Sequence, residues 1–381
     1  MVQTSLIFLL WVSALSAKVP QASSEQQLAQ LNRQYKEAYD AKQYARALEA
    51  LTAMSSFPEV QNDTKTRSLV LYGQACLHSV MGHRREALDT LRKSIAAGFN
   101  DYLTFKGESD LGSLRKDPEF QALAAQFKAK YGPVPLAWDA KQPTPDFPLQ
   151  YDDLKIAELA QLREEFAIDK VVDGAKDDYD KLVRLTKWTS DQWQHSSSQM
   201  ASKPDPISIL REAKAGGRFI CRDYAIVAAG AARAYGFPAR HLAILPRDVE
   251  TRSEAHSVAE VWLPKFRKWI IADGQYGIVP ESKGVPLNAV ELQKAIAEGV
   301  PIACRGASEK CKEWQEFIFP NLFYFKIAQD QRRFGGAPGK QLVLVPKGAP
   351  EPHKFAGANE GVFSNSIYTS NPQSFYAPPP R

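Results

Sequence analysis

Several motifs that would announce a particular chemistry are missing from the chain. It has no HExxH, no paired CxxC, no phosphate loop of the GxxxxGKS type and no glycine-rich dinucleotide turn, so neither a metal nor a nucleotide cofactor is implied. Long Lys/Arg runs are also lacking. With 48 basic against 43 acidic residues the formal charge is +5, too small an excess to point to a nucleic-acid partner. No stretch beyond the N-terminus approaches the roughly 18 consecutive apolar residues of a membrane helix, so no permanent membrane span is expected. Only four cysteines are present, too few for a disulfide scaffold in a chain of 381 residues. Wholesale disorder is excluded by a content of 44% hydrophobic and 10% aromatic residues. The length predicts two domains plus tails, because a single core of this size would be unusually large.

What is present begins with Leu6 to Val12, an uninterrupted apolar run followed by the small residues Ser13, Ala14, Ser16 and Ala17. This predicts a secretory signal peptide over residues 1–17, hence a secreted or periplasmic protein in an oxidising compartment. Cys304 and Cys311 flank the polar stretch RGASEK. A bridge there would close a loop of about eight residues and contribute ~2.5 kcal/mol; the alternative is two unpaired thiols on a loop. Cys76, in an apolar helical context, reads as a small buried hydrophobe.

Residues 25–131 carry Leu, Ala and charged residues at helical spacing. Two segments, from Leu31 and from Leu71, align on Ala47 and Ala87, and Gly82 falls where such units turn between helices. The pattern resembles a tetratricopeptide-like helical hairpin repeat, although the Trp and the repeat-ending Pro of that motif are lacking. A closing helix is predicted from Asp117 as cap and Pro118 at the first position, with Phe120, Leu123 and Phe127 on one face. Such a module implies either a groove for a protein partner or a packing appendage. Residues 132–150 contain five prolines and no period, which predicts a linker and a domain boundary. The Pro-rich segment 347–381 lacks the apolar density to fold alone and is expected to be disordered, with Phe355, Phe363, Tyr368, Phe375 and Tyr376 as occasional anchors.

Residues 151–346 hold the chemistry. A helix is predicted from about Asp177 to Trp193, and Asp205 with Pro206 starts another. Cys221 opens a third, which ends at Gly236 and Pro238 and carries a stripe of Ala225, Ala228, Ala229 and Ala232 suited to lying close on a sheet. Strands are predicted over 239–245, 256–263 and 268–273, the last two forming an antiparallel hairpin. If that hairpin is symmetric about residues 265 and 266, Asp273 lies opposite Val258. His256 and Asp273 then become diagonal neighbours on one face, about 7–8 Å apart at the backbone. An odd slip in register would separate them.

A cysteine at a helix start is favoured as a thiolate by the first-turn N–H groups and by a nearby His; a His oriented by an Asp is the matching acid and base for acyl transfer. The backbone N–H of Cys221 is a candidate oxyanion donor, and Trp193 is either a second donor or a core residue. Asp223, in the same first turn, opposes thiolate formation. His241 is the one rival base, but it has no downstream carboxylate at hairpin spacing.

The strings FICRDYA, AYGFPAR, HSVAEVW and KWIIADG, in that order over about residues 165–290, resemble the transglutaminase-like superfamily with its papain-like core. The resemblance implies an α+β fold, a Cys-bearing helix packed on an antiparallel sheet, preceded here by the all-α module. It also implies Cys221 as nucleophile, His256 as base and acid, and Asp273 as orienting carboxylate, with no cofactor. Ile220 and Arg222 flank the Cys where the family often has Gly and a bulky aromatic, which puts substrate access in question. The expected activity is acyl transfer on the amides of a peptide or protein substrate, with hydrolysis by a cysteine peptidase or amidase favoured over protein-glutamine cross-linking. The competing expectation is a non-catalytic protein that binds peptides with the helical module and an inert papain-like fold.

Overall fold

The computed structural model describes residues 21–151, 153–332, 339–356 and 362–379. The signal peptide expected over 1–17 lies outside the described residues. The chain divides into two units, residues 1–133 and residues 134–381.

The first unit is helical: α1 (Gln21–Asp40), α2 (Tyr44–Ser55), α3 (Pro58–Asn62), α4 (Thr64–Val80), α5 (Arg84–Ala96), α6 (Tyr102–Gly107) and α7 (Pro118–Tyr131). Helices α1 and α2 pack as one pair and α4 and α5 as another. Ala47 and Ala87, the aligned positions, are both fully buried, and a side chain without extension there lets the partner helix approach closely. Gly82 turns the second pair with φ +77°, which a side-chain-bearing residue adopts only at a cost. Asp117 caps α7 by accepting from the N–H groups of Glu119 and Phe120. Phe120 and Phe127 of α7 are buried with Tyr72 and Phe99, whose rings stack at 4.0 Å.

The second unit begins with α8 (Ala157–Glu165), α9 (Asp169–Val172), α10 (Asp178–Ser190), α11 (Pro206–Lys214) and α12 (Cys221–Arg233). Strands β1 (Ala239–Leu245), β2 (His256–Leu263) and β3 (Lys268–Ala272) follow, then β4 (Ile278–Ser282), β5 (Val285–Pro286), α13 (Ala289–Glu298) and β6 (Ala303–Gly306). The chain closes with α14 (Cys311–Ile318), β7 (Tyr324–Ala328), β8 (Gln341–Leu344), β9 (Ser366–Thr369) and α15 (Pro372–Phe375). The main sheet has the order β3-β2-β1-β7-β8-β9, antiparallel except for the β8–β9 pair; a smaller sheet runs β5-β4-β6. Helix α12 lies on one face of the main sheet. Its Ala228, Ala229 and Ala232 pack with Ala239, Ala259, Val261 and Ala272, so small residues on both sides bring helix and strands together.

Residues 134–150 form the extended stretch expected after a boundary, whereas the described part of 347–381 departs from expectation. The Pro-rich stretch is extended but not free: Asp139 N–H donates to Ser370 O, and Lys347 N–H to Ala137 O. The C-terminal segment, expected to be disordered, supplies β9 along the edge of β8 and buries Phe363 and Phe375. Its composition cannot form a core alone, yet an existing sheet edge and two aromatic anchors suffice to fix it. Phe375 O accepts from Arg240 Nη1 at 3.0 Å, completing the surroundings of the buried Arg240–Glu260 ion pair.

Cys304 and Cys311 are bonded to one another, tying β6 to the start of α14. Replacing both by Ser is expected to lower the unfolding free energy by ~2.5 kcal/mol, the chain-entropy value for so short a loop. Urea melts of the two proteins without reductant, with wild type under reductant as a third curve, provide the check; coincident midpoints would show that the bridge contributes nothing.

Candidate active site

Cys221 is the first residue of α12. Ile220 precedes it in extended conformation with no side-chain cap, so the first-turn N–H groups of the helix are not consumed by a capping side chain. The thiol is half-buried, whereas Cys76, the other free cysteine, is buried in the helical unit. The segment leading into α12 is pinned from both sides. Ser196 N–H donates to Phe219 O, and Ile220 N–H to Gln199 O. Tyr224, one turn into the helix, stacks on Trp193 at 4.1 Å and donates its hydroxyl to Trp193 O.

His256 opens β2 and Asp273 follows the last residue of β3. The hairpin pairs Leu263 with Lys268 and Ala259 with Ala272, the symmetric register, which carried one step further sets Asp273 opposite Val258. Both side chains are fully buried, and His256 Nε2 lies 2.8 Å from Asp273 Oδ2. Gly274 then lets the chain turn tightly against α12: a Cβ there would sit 2.8 Å from Tyr224 O. The sequence-predicted His and Asp are thus brought together by backbone register, and the turn after them is held against the Cys-bearing helix.

Asp273 accepts four hydrogen bonds. Oδ1 takes the backbone N–H groups of Gln275 and Tyr276 at 3.1 and 3.2 Å, and Oδ2 takes His256 Nε2 together with the indole Nε1 of Trp314 at 2.7 Å. With Nε2 donating to the carboxylate, the free lone pair of a neutral ring is on Nδ1. That nitrogen is sealed from water and has no aligned hydrogen bond, while the Cys221 thiol lies near enough to act on the ring. Burial opposes charge on His256, but Asp273 and then Cys221 outweigh it and raise the pKa to about 10.

Sequence reasoning missed the contribution of α14. Besides Trp314, fully buried, it presents Phe317, whose ring meets that of His256 edge to face at 4.9 Å; Tyr276 stands on the same imidazole at 6.4 Å. The available signal was the string CKEWQEF, with Cys311, Trp314 and Phe317 three apart and hence on one helical face. Nothing local named Asp273 as the target of that face. Trp193 packs in the core, yet its indole Nε1 is buried without a partner. His241, the rival base, sits on β1 opposite Ala259 and has no carboxylate beside it; burial first, then Lys326, Arg222 and His256, lower its pKa to about 4.

The His256 shift makes stability depend on pH with a definite sign. A pKa raised from 6.5 to about 10 means the folded state binds the proton more tightly, so its stabilisation is complete below pH 6.5 and disappears as pH rises through about 10. The unfolding free energy is therefore expected to fall between pH 7 and 10, and His256→Gln should flatten that slope. Urea melts across the range decide it; equal slopes in the two proteins would refute the assignment.

Residues 166–274 match the family model of the transglutaminase-like superfamily. The matched region runs from Phe166 at the end of α8 to Gly274, and so contains Cys221, His256 and Asp273, while α14 lies beyond it. Among solved structures, the 1.9 Å crystal structure of a "Putative Cysteine Protease" from Cytophaga hutchinsonii is 18% identical over 39% of this chain and 47% of that one, with a TM-score of 0.26. The chain spans just under half the length of that protein, and at this TM-score the likeness carries no argument. No curated protein matches the chain.

Proposed function

We propose that the second unit is a thiol enzyme that cleaves amides of peptide or protein substrates through Cys221, His256 and Asp273. The supporting observation is the relay itself: a cysteine opening a helix, an imidazole beside it with its far nitrogen 2.8 Å from a buried carboxylate, and that carboxylate held by three further donors. Nδ1 of His256 holds the proton given up by the thiol, in keeping with its raised pKa, and the thiolate attacks the carbonyl carbon. The backbone N–H of Cys221 faces the developing oxyanion, with Trp193 Nε1 as a second unpaired donor near the start of α12. The C–N bond then breaks as the imidazolium protonates the departing amine. Water deprotonated by Nδ1 adds to the thioester, the carboxylic acid leaves, and the thiol is restored. Hydrolysis is favoured over amine transfer because a half-buried thiol does not exclude water. The N-terminal apolar run and the Cys304–Cys311 bridge support action outside the cytoplasm.

The test is the rate of Cys221 alkylation by iodoacetamide at pH 6, read by peptide mass spectrometry. A thiolate sustained by His256 gives rapid labelling that His256→Ala slows at least about tenfold. Slow labelling, indifferent to His256→Ala, would leave the relay without a chemical role.

A further inference from the structure

The main sheet carries basic side chains that have no carboxylate partner among the described residues. Ser257 of β2, Ala243 of β1 and Lys326 of β7 form one row across three strands, and His241 lies two residues along β1 on the same face. This is the face on which α12 packs, since Ala239 and Ala259 belong to it. Strands are about 4.8 Å apart, so the Lys326 backbone is roughly 10 Å across the sheet from Ser257, the residue after His256. His241, Ala243, Lys326 and, from the first turn of α12, Arg222 are all half-buried.

Among the described residues these side chains are incompletely paired. The Lys326 ammonium meets only Val362 O at 3.4 Å and the face of the Phe363 ring at 5.2 Å; among the described residues no carboxylate pairs with it. Burial lowers its pKa to about 8, which still leaves it mostly protonated at neutral pH. His241 Nε2 is sealed from water without a partner, and a neutral imidazole can donate from that atom. Arg222 Nη2 pairs with Asp223 at 3.2 Å, but its Nε has no partner. His241 lies within electrostatic range of Lys326, Arg222 and His256. A desolvated cation held without a counter-ion is a cost that a bound anion would relieve.

We propose that Lys326, His241 and Arg222 form a subsite for a carboxylate of the substrate, so that the enzyme selects acidic peptides. The assignment rests on reading Cys221 as the nucleophile. The carboxylate belongs either to an Asp or Glu side chain near the scissile amide or to a free C-terminus, and both present the same chemistry to Lys326.

The experiment compares alkylation of Cys221 by iodoacetate, which carries a carboxylate, and by iodoacetamide, which does not, in the full-length chain. Any change in intrinsic thiol reactivity moves both rates together and cancels in their ratio. Lys326→Met is expected to lower the iodoacetate-to-iodoacetamide ratio roughly three- to tenfold, the effect of one charge about 10 Å away at intermediate dielectric. Arg222→Gln should lower it as well and serves if Lys326→Met fails to fold. A ratio unmoved by the folded variants overturns the subsite while leaving the thiol-enzyme reading intact. Iodoacetamide labelling indifferent to His256→Ala overturns that reading while the ratio still reports on the subsite.

Protection of Cys221 by three peptides then identifies the source. The first is blocked at both ends and contains Glu, the second has Gln in its place and a free C-terminus, and the third has Gln and both ends blocked. Protection by the first or the second over the third, lost in Lys326→Met, supports the subsite and says which carboxylate fills it. Equal protection by all three, or by none, overturns it.

Discussion

Cys221→Ala is expected to reduce turnover of an amide substrate by about 10⁴-fold or more, because removal of the nucleophile leaves only binding and the oxyanion donors. The residue is half-buried and the change deletes one sulfur, so the protein should unfold within about 1 kcal/mol of wild type. Activity and stability therefore separate at this position. The same variant distinguishes the two functional classes left open by the sequence. An enzyme loses product formation and retains the peptide, so a peptide that is cut by wild type should bind Cys221→Ala with a measurable Kd. A protein whose papain-like fold only binds would show the same peptide affinity in both forms and no cleavage in either. Cleavage at wild-type rate by Cys221→Ala would dismiss the thiol mechanism outright.

The parts of this site legible in the sequence are those set by local periodicity. Cys221 could be placed at a helix start because glycines precede it and an Ala stripe with a Gly-Phe-Pro stop follows; the helix indeed runs Cys221–Arg233. The pairing of His256 with Asp273 followed from a short link taken as symmetric about residues 265 and 266 and from the period of two, and the strands pair in that register. Trp314 was not legible, because its target is 41 residues away and no repeating pattern connects a helix to a particular loop carboxylate. Neither was the order of the described residues between 347 and 379. Their composition describes what they can do alone, whereas β9 and Phe375 depend on an edge and a pocket made by residues 240–345. The basic row of His241 and Lys326 is of the same kind: the two meet only because β7 pairs with β1, and that partnership skips more than 70 residues of chain.

Asp273→Asn is the substitution with the most to say about how the relay works. The carboxylate receives two backbone N–H groups on Oδ1, and Trp314 and His256 on Oδ2, four donors and no acceptor. An amide has one oxygen and one NH₂. If its oxygen faces Trp314 and His256, the NH₂ points at the N–H groups of Gln275 and Tyr276; reversed, it points at the indole and forces His256 to carry its proton on Nδ1, where no base remains for the thiol. Either placement leaves buried donors opposed, at about 1–3 kcal/mol for each unsatisfied group. The negative charge that raises the His256 pKa is also gone, so the imidazolium is no longer supported. The expected result is a loss of about 10⁴ in kcat with KM little changed, as for removal of the orienting carboxylate from a Ser-His-Asp triad. Trp314→Phe takes away one of four donors and keeps the ring, so a loss nearer tenfold is expected, again in kcat. In Asp273→Asn/Trp314→Phe the two effects should not multiply: once the carboxylate is an amide, the indole N–H has no charge to hold, and in one of the two placements its removal relieves a donor–donor contact. A double variant roughly tenfold worse than Asp273→Asn alone would mean that Trp314 acts independently of Asp273, as a wall of the site and not as a ligand of its carboxylate.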